Sequence, residues 1–441
     1  MRVKWLILTL LLGSLTLSAC DLLQNDGDAE TAEEDAEAIV IPDATADVAQ
    51  ITPVFEVPAT TTPAAVDLKV WIPPEIAVRT ETGTQTMADQ LTNFNAKNPD
   101  IVIRVEQKRV QGDGGILSYL RTGRSVAPSV LPDLIAIPTE LLPSAANESL
   151  IYPLNDQLEP ELMNELFPPA LEMSRPDERI LGYPFALTWL PHLVYNSNVL
   201  TTTLPLTWDR LISDTERSMV FAADGTDGAL LALQFYLDAG GTTVNELGQP
   251  TLQEEQLTVA LETLQEGKEA GFFVPQSSSI SGLDQAWQIF LAGGANIART
   301  SSDHFLRENT TGLPLEFTVT PGIDRPLTPL VGGWAWAIST SDPDRQAAAL
   351  ELMLELVAAP NQAEWSQNSN ILPARRDSLA LWSDDDLYVG FVQQELERAQ
   401  PMPVTSTSKM MTVLGDAVFQ VVSGSKLAQE AAQDAVAALQ S

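Results

Sequence analysis

Two acidic residues follow directly after apolar runs that the sequence predicts as strands. Glu75 follows the run Leu68–Ile72, and Glu140 follows the run Leu134–Ile137. In an open α/β sheet, ligands bind beyond the carboxyl ends of the strands, and a carboxylate accepts hydrogen bonds from two hydroxyl groups at once. Both residues are therefore candidates for binding a polar solute. Because 48 acidic residues follow residue 66, a solvated surface acid is the alternative for each.

Four tryptophans divide into two groups. Trp189 and Trp334 are candidates for stacking on a ligand, because aromatic faces bind apolar ring surfaces, and packing inside the protein is the alternative. Trp208 and Trp365 are predicted to lie in the core.

The cationic side chains and the histidines give no clear site. Arg299 and Arg375 are suited to an anionic ligand, and surface ion pairs explain them equally well. His192 and His304 are predicted to be polar structural residues, because no cysteine, histidine or spaced acid cluster accompanies them as metal ligands. We therefore predict no metal and no cofactor.

Motifs of common enzymes are absent from the sequence. No G-x-S-x-G elbow occurs, so no hydrolase nucleophile is predicted. No G-x-x-x-x-G-K-[ST] loop occurs, since the run Gly112–Gly115 lacks the lysine, and the chain is therefore not an ATPase. Paired carboxylates can hydrolyse glycosides, but acids are so abundant here that such a pair is uninformative.

The charge balance excludes some partners. The 441 residues include 24 Lys and Arg against 59 Asp and Glu, for a net charge of −35. A nucleic-acid-binding protein must neutralise phosphates, and an anionic membrane surface repels such a chain. We expect neither partner. The single cysteine excludes an intrachain disulfide and a cysteine-built zinc site.

The first twenty residues resemble a bacterial lipoprotein signal peptide. Arg2 and Lys4 precede an apolar stretch, and Leu17-Ser18-Ala19-Cys20 follows as a lipobox, which implies acylation of Cys20 after cleavage. The chain is thus expected outside the cytoplasmic membrane, held by an N-terminal lipid anchor. An uncleaved anchor or a buried thiol is the alternative.

Residues 21–66 are predicted to be a disordered tether. They contain eleven acidic residues, no Lys or Arg, and many Thr, Pro and Ala residues. Such a composition buries too little apolar area to offset its conformational entropy. The segment is either a spacer or a tail without a role.

The rest of the chain alternates predicted strands and helices. Strands are predicted at Leu68–Ile72, Ile101–Val105 and Leu134–Ile137. Helices are predicted between them, and Asp342-Pro343 reads as an N-cap followed by a first-turn proline. This alternation predicts parallel βαβ units and an α/β fold.

The order of short motifs resembles that of family 1 extracellular solute-binding proteins, the sugar-binding lipoproteins that serve ABC importers. The resemblance covers residues 67–441 and is carried by these segments: Leu68–Ile72, Phe94–Ile101, Pro132–Ala136, Leu150–Leu154, Gly182–Ala186 with Tyr195–Asn196, Pro205–Asp209, Phe290–Ile297, Val331–Trp334 with Ala337–Ser339, and Asn370–Arg375.

The resemblance implies a two-lobed, type II clamshell in which the chain crosses three times between lobes. Lobe 1 would comprise 67–185 and 334–378, and lobe 2 would comprise 186–333 and 379–441. The crossings would lie near Tyr183–Leu187, near Val331–Gly333 and near 375–385. Tyr183, Gly332 and Gly333 are therefore the expected hinge residues, since glycines accept large dihedral changes.

By position, the resemblance also implies the members of a binding cleft. These are Glu75, Glu140, Trp189, Asp303, Trp334 and Arg375. Maltose-type members carry aromatic residues at two places where this chain has Asp303-His304-Phe305 and Lys409-Met410-Met411. Only Phe305 could replace them, so this departure from the family argues against an oligosaccharide stacked on several rings. A smaller sugar, a polyol or a sugar derivative fits as well, and a non-sugar solute stays open.

The resemblance implies a monomeric transport receptor that delivers its solute to separate ABC permease subunits and catalyses no reaction. A secreted lipoprotein sensor, or a glycan-active enzyme on the same fold, is the alternative.

Overall fold

The computed structural model describes residues 55–56, 66–112, 114–308, 313–383 and 386–441. The signal peptide with Cys20 and most of the predicted tether therefore lie outside the described residues. Within the tether, Phe55–Glu56 forms a short strand, and Val66 already belongs to the next strand. At these positions the prediction of disorder differs from the structure.

The strands are β1 (Phe55–Glu56), β2 (Val66–Ile72), β3 (Ile101–Gln107), β4 (Leu134–Pro138), β5 (Tyr183–Thr188), β6 (Pro191–Asn196), β7 (Met219–Val220), β8 (Ile297–Ser301), β9 (Leu315–Thr318), β10 (Leu330–Ile338), β11 (Leu372–Pro373) and β12 (Gln400–Pro401). The helices are α1 (Pro74–Ala77), α2 (Glu81–Lys97), α3 (Ile116–Val126), α4 (Leu142–Asn147), α5 (Pro160–Asn164), α6 (Pro168–Ser174), α7 (Trp208–Ile212), α8 (Thr226–Asp238), α9 (Glu254–Glu269), α10 (Leu283–Leu291), α11 (Ser302–Glu308), α12 (Pro343–Leu356), α13 (Ala359–Asn368), α14 (Arg376–Leu379), α15 (Leu387–Arg398), α16 (Lys409–Ser423) and α17 (Ala428–Gln440). Short 3-10 helices span Pro128–Val130, Thr139–Leu141 and Pro275–Ser279.

The strands form two sheets. In the larger one, which we call the large sheet, the order is β1-β3-β2-β4-β10-β5-β11, and β12 pairs with β10. Strand β2 is parallel to β3 and β4, which confirms the predicted βαβ units there. Strand β10 is antiparallel to β4 and β5, because the chain enters it from the other sheet rather than through a helical crossover.

The second sheet, the small sheet, has the order β7-β8-β6-β9. Strand β6 is antiparallel to both β8 and β9, and only β7 runs parallel to β8. Helices α8, α9, α16 and α17 pack together beside it. Trp208 lies in the core there with its ring edge-on to Phe235 and Phe272, as predicted for this tryptophan.

Both faces of the large sheet are covered, and β4 shows why its sequence is apolar throughout. Leu134 and Ala136 belong to one buried cluster, whereas Ile135 and Ile137 belong to a second cluster on the opposite face. A strand buried on both faces needs apolar residues at every position.

Asp133 joins three strands just before β4. Its carboxylate accepts the Lys69 backbone N–H at 2.9 Å and pairs with Arg345 at 3.0 Å, while its carbonyl oxygen accepts the Ser339 N–H at 2.9 Å. Burial raises the pKa of Asp133, and the Lys69 N–H and the charge of Arg345 oppose this shift. A fully buried carboxylate requires such partners.

The predicted helix start at Asp342 is confirmed. Its side chain accepts hydrogen bonds from the backbone N–H groups of Asp344 and Arg345, and Pro343 occupies the first turn. Among the residues that the structure describes, no helix has the length and apolar character needed to cross a membrane.

The first passage between the sheets lies later than predicted. Strand β5 stays in the large sheet through Thr188, and β6 of the small sheet begins at Pro191, so Trp189-Leu190 is the passage. All six residues of β5 are buried, so the strand remains packed in the large sheet beyond the predicted crossing at 183–187. Tyr183 lies at the start of β5, where its hydroxyl donates to the Leu162 carbonyl at 3.0 Å. It is therefore not at the passage.

The other two passages also differ from the prediction. Residues 319–329 connect β9 of the small sheet with β10 of the large sheet. Gly332 and Gly333, the expected second crossing, lie inside β10. Neither has a positive φ, so they form part of a strand and not a turn. Strand β12 still pairs with β10, whereas α16 packs on α8 and α9, so the third passage is 402–408 rather than 375–385.

Helix α15 was assigned to lobe 2 from the sequence. In the structure it contacts α6, which precedes β5 of the large sheet, and α11, which follows β8 of the small sheet. Its Tyr388 ring lies 4.5 Å from the Phe305 ring of α11. The long-range packing of this helix is not visible in the local sequence pattern.

Candidate functional site

A cleft of about 1190 Å³ opens where the chain passes between the two sheets. Its lining includes Trp189 from the first passage and residues 402–407 from the third. Strands of the large sheet add Thr188 from β5, Val331–Trp334 from β10 and Gln400–Pro401 from β12. The turns after β2, β3 and β4 and the end of α6 complete it. The first and third passages thus contribute to one cavity, whereas residues 319–329 of the second passage are not part of its lining.

Trp189 has an unusual backbone conformation. Its φ is 68°, in the left-handed region, which costs a residue with a side chain on the order of 1–3 kcal/mol. Its backbone N–H donates to Oδ1 of Asp303 at 3.2 Å. The indole is partly exposed and lines the cleft.

The glycines of β10 are explained by close packing. A Cβ built on Gly332 would lie 3.1 Å from Cε3 of Trp189, and one on Gly333 would lie 3.0 Å from the carbonyl oxygen of Ala186 and 3.2 Å from Cε of Met173. Side chains at these positions would therefore displace the residues that line the cleft.

Trp334 occupies the next position on β10 and also lines the cleft. It pairs with Pro138 of β4 and Ala186 of β5, and its side chain is partly exposed. Two residues further on, Trp336 is buried and stacked on Phe185, with ring centroids 4.8 Å apart. The same strand thus presents one indole to the cleft and one to the core.

Glu140 and Glu75 both line the cleft. Glu140 lies in the 3-10 turn after β4 and is partly buried. Burial raises the pKa of Glu140, and a hydrogen bond from the Ser406 backbone N–H opposes the shift. Glu75 is exposed in the first turn of α1. The carboxylates therefore differ in environment, with one partly desolvated and one in contact with water.

Three charged residues of the cleft were not among the predicted ones. Arg109 follows the end of β3. Glu75 and Glu140 were predicted because they follow the ends of strands, so the same rule would have identified Arg109. Glu172 and Arg175 lie at the end of α6, and no local pattern marks them. The passage 402–407 also carries no recognisable motif.

Two predicted site residues do not line the cleft. Asp303 lies in the first turn of α11, where it accepts the Trp189 N–H and, at 3.1 Å, the hydroxyl of Ser301. Arg375 is buried and donates to Asp377 at 2.8 Å and to the Val357 carbonyl at 3.1 Å. Its guanidinium is therefore used inside the protein.

Other candidates for ligand contact are also internal. Phe305 is buried among aromatic rings, so it cannot replace a stacking residue. Arg299 is buried, pairs with Asp227 and donates to Gln234 at 2.8 Å, and burial lowers the pKa of Arg299 to about 9. Trp365 is buried as predicted.

Both histidines belong to the protein interior. His192 contacts the Leu190 carbonyl through Nδ1 at 3.1 Å, and burial lowers the pKa of His192 to about 4. His304 lies between Thr300 at 2.9 Å and Asp284 at 3.0 Å. Within the described ranges, no three His, Cys, Asp or Glu side chains are grouped as a metal site.

Comparisons with known proteins agree with this architecture. A family model described as bacterial extracellular solute-binding protein matches residues 89–388. No curated protein sequence matches the chain significantly.

Several solved structures have the same fold. The sugar-binding protein MalE from Xanthomonas citri has a TM-score of 0.68 at 18% identity, covering 85% of this chain and 97% of its own. The cyclic alpha-maltosyl-1,6-maltose binding protein from Arthrobacter globiformis has a TM-score of 0.66 at 16% identity, covering 86% and 98%. Maltose-bound MalE3 from T. maritima has a TM-score of 0.64 at 16% identity, covering 85% and 99%.

Proposed function

Since this chain belongs to the bacterial extracellular solute-binding proteins, we propose that it binds a carbohydrate or a related polar solute in the cleft that the large sheet lines together with the first and third passages. It then delivers the solute to the permease subunits of an ABC importer. In this proposal the protein is a receptor and not an enzyme.

The observation that supports the proposal is the chemistry of the cleft. Trp189 and Trp334 offer aromatic faces, and Glu75, Glu140 and Arg109 offer planar polar groups. A sugar ring has apolar faces and a rim of hydroxyl groups, so its recognition requires both kinds of side chain. Two proteins of similar structure bind maltose and cyclic alpha-maltosyl-1,6-maltose, which is consistent with this choice.

The size of the cleft bears on the length of the solute. Its volume of about 1190 Å³ exceeds the roughly 300–1,000 Å³ of ordinary small-molecule pockets. Two indoles line it, rather than the longer series of rings that an extended glucan would use. The test therefore includes monosaccharides, polyols and oligosaccharides.

The proposed mechanism is closure of two lobes. The large sheet with its helices forms one lobe, the small sheet with its helices forms the other, and the passages at 189–190, 319–329 and 402–408 serve as hinges. A solute favours the closed form only through contacts that it makes with both lobes. Glu75 and Glu140 come from the first lobe, and residues 402–407 approach them from the third passage.

The N-terminal segment holds the receptor at the outer face of the cell membrane in this proposal. Cys20 carries the lipid, and the acidic residues after it act as a spacer. The receptor acts as a monomer, because a solute enclosed by two lobes of one chain needs no second copy.

The test is a screen of sugars and polyols by thermal shift, followed by calorimetric titration of each hit. At 100 times Kd, a ligand adds about 2.7 kcal/mol to the free energy of unfolding. Glu140→Gln should weaken binding without changing the solute-free melting temperature. Small-angle scattering should show a smaller radius of gyration with a bound solute.

Other outcomes would contradict the proposal. If no sugar or polyol shifts the melting temperature, a carbohydrate receptor is excluded. Release of sugar from a glycoside by the purified protein would instead identify an enzyme, and binding without any uptake defect in a deletion strain would favour a sensor.

A further inference from the structure

Asp303 lies in the first turn of α11, shortly after β8 of the small sheet, and contacts the first passage between the two sheets. Its Oδ1 atom accepts the backbone N–H of Trp189 at 3.2 Å and the hydroxyl of Ser301 at 3.1 Å. The carboxylate therefore contacts the backbone of a cleft residue and does not itself line the cavity.

The turn at Trp189 needs an external support. Its φ of 68° is disfavoured for a residue with a Cβ, and such conformations persist only when the surrounding structure holds them. A hydrogen bond to a carboxylate is stronger than one to a neutral acceptor. Of the hydrogen bonds that the structure shows for Trp189 outside the sheets, the bond to Asp303 is the one at this backbone.

The direction of the indole depends on the same turn. Its Cε3 and Cζ3 atoms lie against the backbone of Gly332, at 3.1 and 3.2 Å from the place of a Cβ. If the turn relaxed to a negative φ, the Cα–Cβ bond would point elsewhere and the indole would leave this position on β10.

We infer that Asp303 is a positioning residue for solute binding. By accepting the Trp189 N–H, it holds the left-handed turn and so fixes the indole against Gly332, where the cleft receives its ligand. The effect on affinity rests on the proposed function, whereas the placement of the indole is a property of the solute-free protein.

The positively charged side chain of Arg79 interacts with Asp303. It also donates to the carbonyls of Ser369 at 3.1 Å and Asn370 at 3.2 Å. An asparagine at 303 keeps the oxygen acceptor but loses the charge, so it should preserve most of the geometry.

The first experiment uses solute-free protein labelled with 5-fluorotryptophan. The fluorine resonance of Trp189 is assigned by its loss in Trp189→Phe. In Asp303→Ala this resonance should shift or broaden while the other tryptophan resonances stay in place, and Asp303→Asn should restore it. A Trp189 resonance that is unchanged in Asp303→Ala would overturn the inference.

A second variant covers the case in which Asp303→Ala does not fold. Asp303→Leu removes the acceptor of the Trp189 N–H while it fills more of the space of the aspartate than alanine does, so the Trp189 resonance should shift or broaden with the fold intact. If it stays sharp and unshifted, Asp303 does not control the turn.

The second experiment measures binding of maltotriose to four proteins: the natural chain, Asp303→Ala, Trp189→Ala and the double variant. Asp303→Ala should weaken binding by roughly tenfold, the size of one lost hydrogen bond. It should have no further effect when Trp189→Ala is already present. Losses that multiply would show that Asp303 contacts the sugar itself and would refute the positioning role.

The two experiments separate this inference from the proposed function. If maltotriose does not bind and no other sugar replaces it, the carbohydrate proposal fails, and the fluorine spectra still decide whether Asp303 holds Trp189.

Discussion

The indole of Trp189 rests on the backbone of Gly332, so closely that a Cβ at position 332 would lie 3.1 Å from its Cε3 atom and 3.1 Å from Oγ1 of Thr188. Gly332 belongs to β10 of the large sheet, and Trp189 belongs to the passage into the small sheet. The glycine therefore provides the space in which the tryptophan lies.

Gly332→Ala should weaken solute binding by about 1–3 kcal/mol, because the added methyl group pushes the indole and Thr188 out of place. Titration calorimetry measures this change. Gly390→Ala is the matched control, since no atom lies within 4 Å of a Cβ there and its affinity should equal that of the natural chain. Equal affinities for both variants would count against a role for the indole.

Trp334→Ala should mainly weaken solute binding, whereas Trp336→Ala should mainly lower stability, although the two residues lie only two positions apart on one strand. Trp334 is partly exposed in the cleft, so its loss should weaken binding by about 1–3 kcal/mol with little change in the solute-free melting temperature. Trp336 is buried, so its loss should lower the free energy of unfolding by about 3–5 kcal/mol. Calorimetry and urea unfolding of both variants check this pair. A large loss of stability in Trp334→Ala would show that this residue is structural.

Stability should fall in mild acid because of His192. Burial lowers the pKa of His192 to about 4 in the folded protein, whereas the pKa of a histidine in an unfolded chain is about 6.5. Below pH ~6.5 the unfolded chain therefore binds a proton that the folded protein does not, and the free energy of unfolding decreases until the pH reaches about 4.

Between pH 7 and pH 5 the His192 contribution should be a loss of about 2 kcal/mol. Urea unfolding at both pH values, for the natural chain and His192→Gln, measures it. The variant should lose less stability over this interval, and an equal loss in both proteins would exclude His192 as the cause.

Asp133→Ala should lower the free energy of unfolding by about 1–3 kcal/mol, because it leaves the Lys69 backbone N–H without its acceptor and removes one of the two carboxylate partners of Arg345. The control is Asp67→Ala, which breaks an ion pair with Arg104 in which both side chains are at least half exposed. An exposed pair contributes less than about 1 kcal/mol. Similar urea midpoints for the two variants would contradict the proposed difference.

Cys20→Ala should release the protein from the membrane fraction, since the thioether-linked lipid requires that sulfur. Partition into detergent and labelling with a radioactive fatty acid measure the change. The natural chain is the control, and a variant that stays in the membrane fraction with its label would exclude lipidation at Cys20.

The sequence predicted local features well and long-range ones poorly. The apolar run of β4 and the cap at Asp342 depend on neighbouring residues, and both were confirmed by the structure. Glu75 and Glu140 were expected at strand ends and do line a cavity. The sheet to which a strand belongs depends instead on distant pairing, so the passages were misplaced at Tyr183 and at 375–385.

The same limit applies to the predicted site. Asp303 was expected at the site because it follows a predicted strand, and Arg375 because it lies near the expected third crossing. Their partners, the Trp189 N–H and the Asp377 carboxylate, decide instead where their side chains lie. Arg109 could have been found from the end of β3. Glu172 and the passage 402–407 could not, because only tertiary packing brings them to the cleft.

The pairing of β1 with β3 protects the large sheet from unwanted association. Phe55 and Glu56 align with Val105 and Arg104, at the side of the sheet where β3 would otherwise offer free N–H and C=O groups. Unpaired strand edges recruit strands from other molecules and start aggregation. The two residues of β1 thus cover two of the seven residues of β3, and a chain shortened to begin at Val66 would leave that part of the edge open to other molecules in concentrated solution.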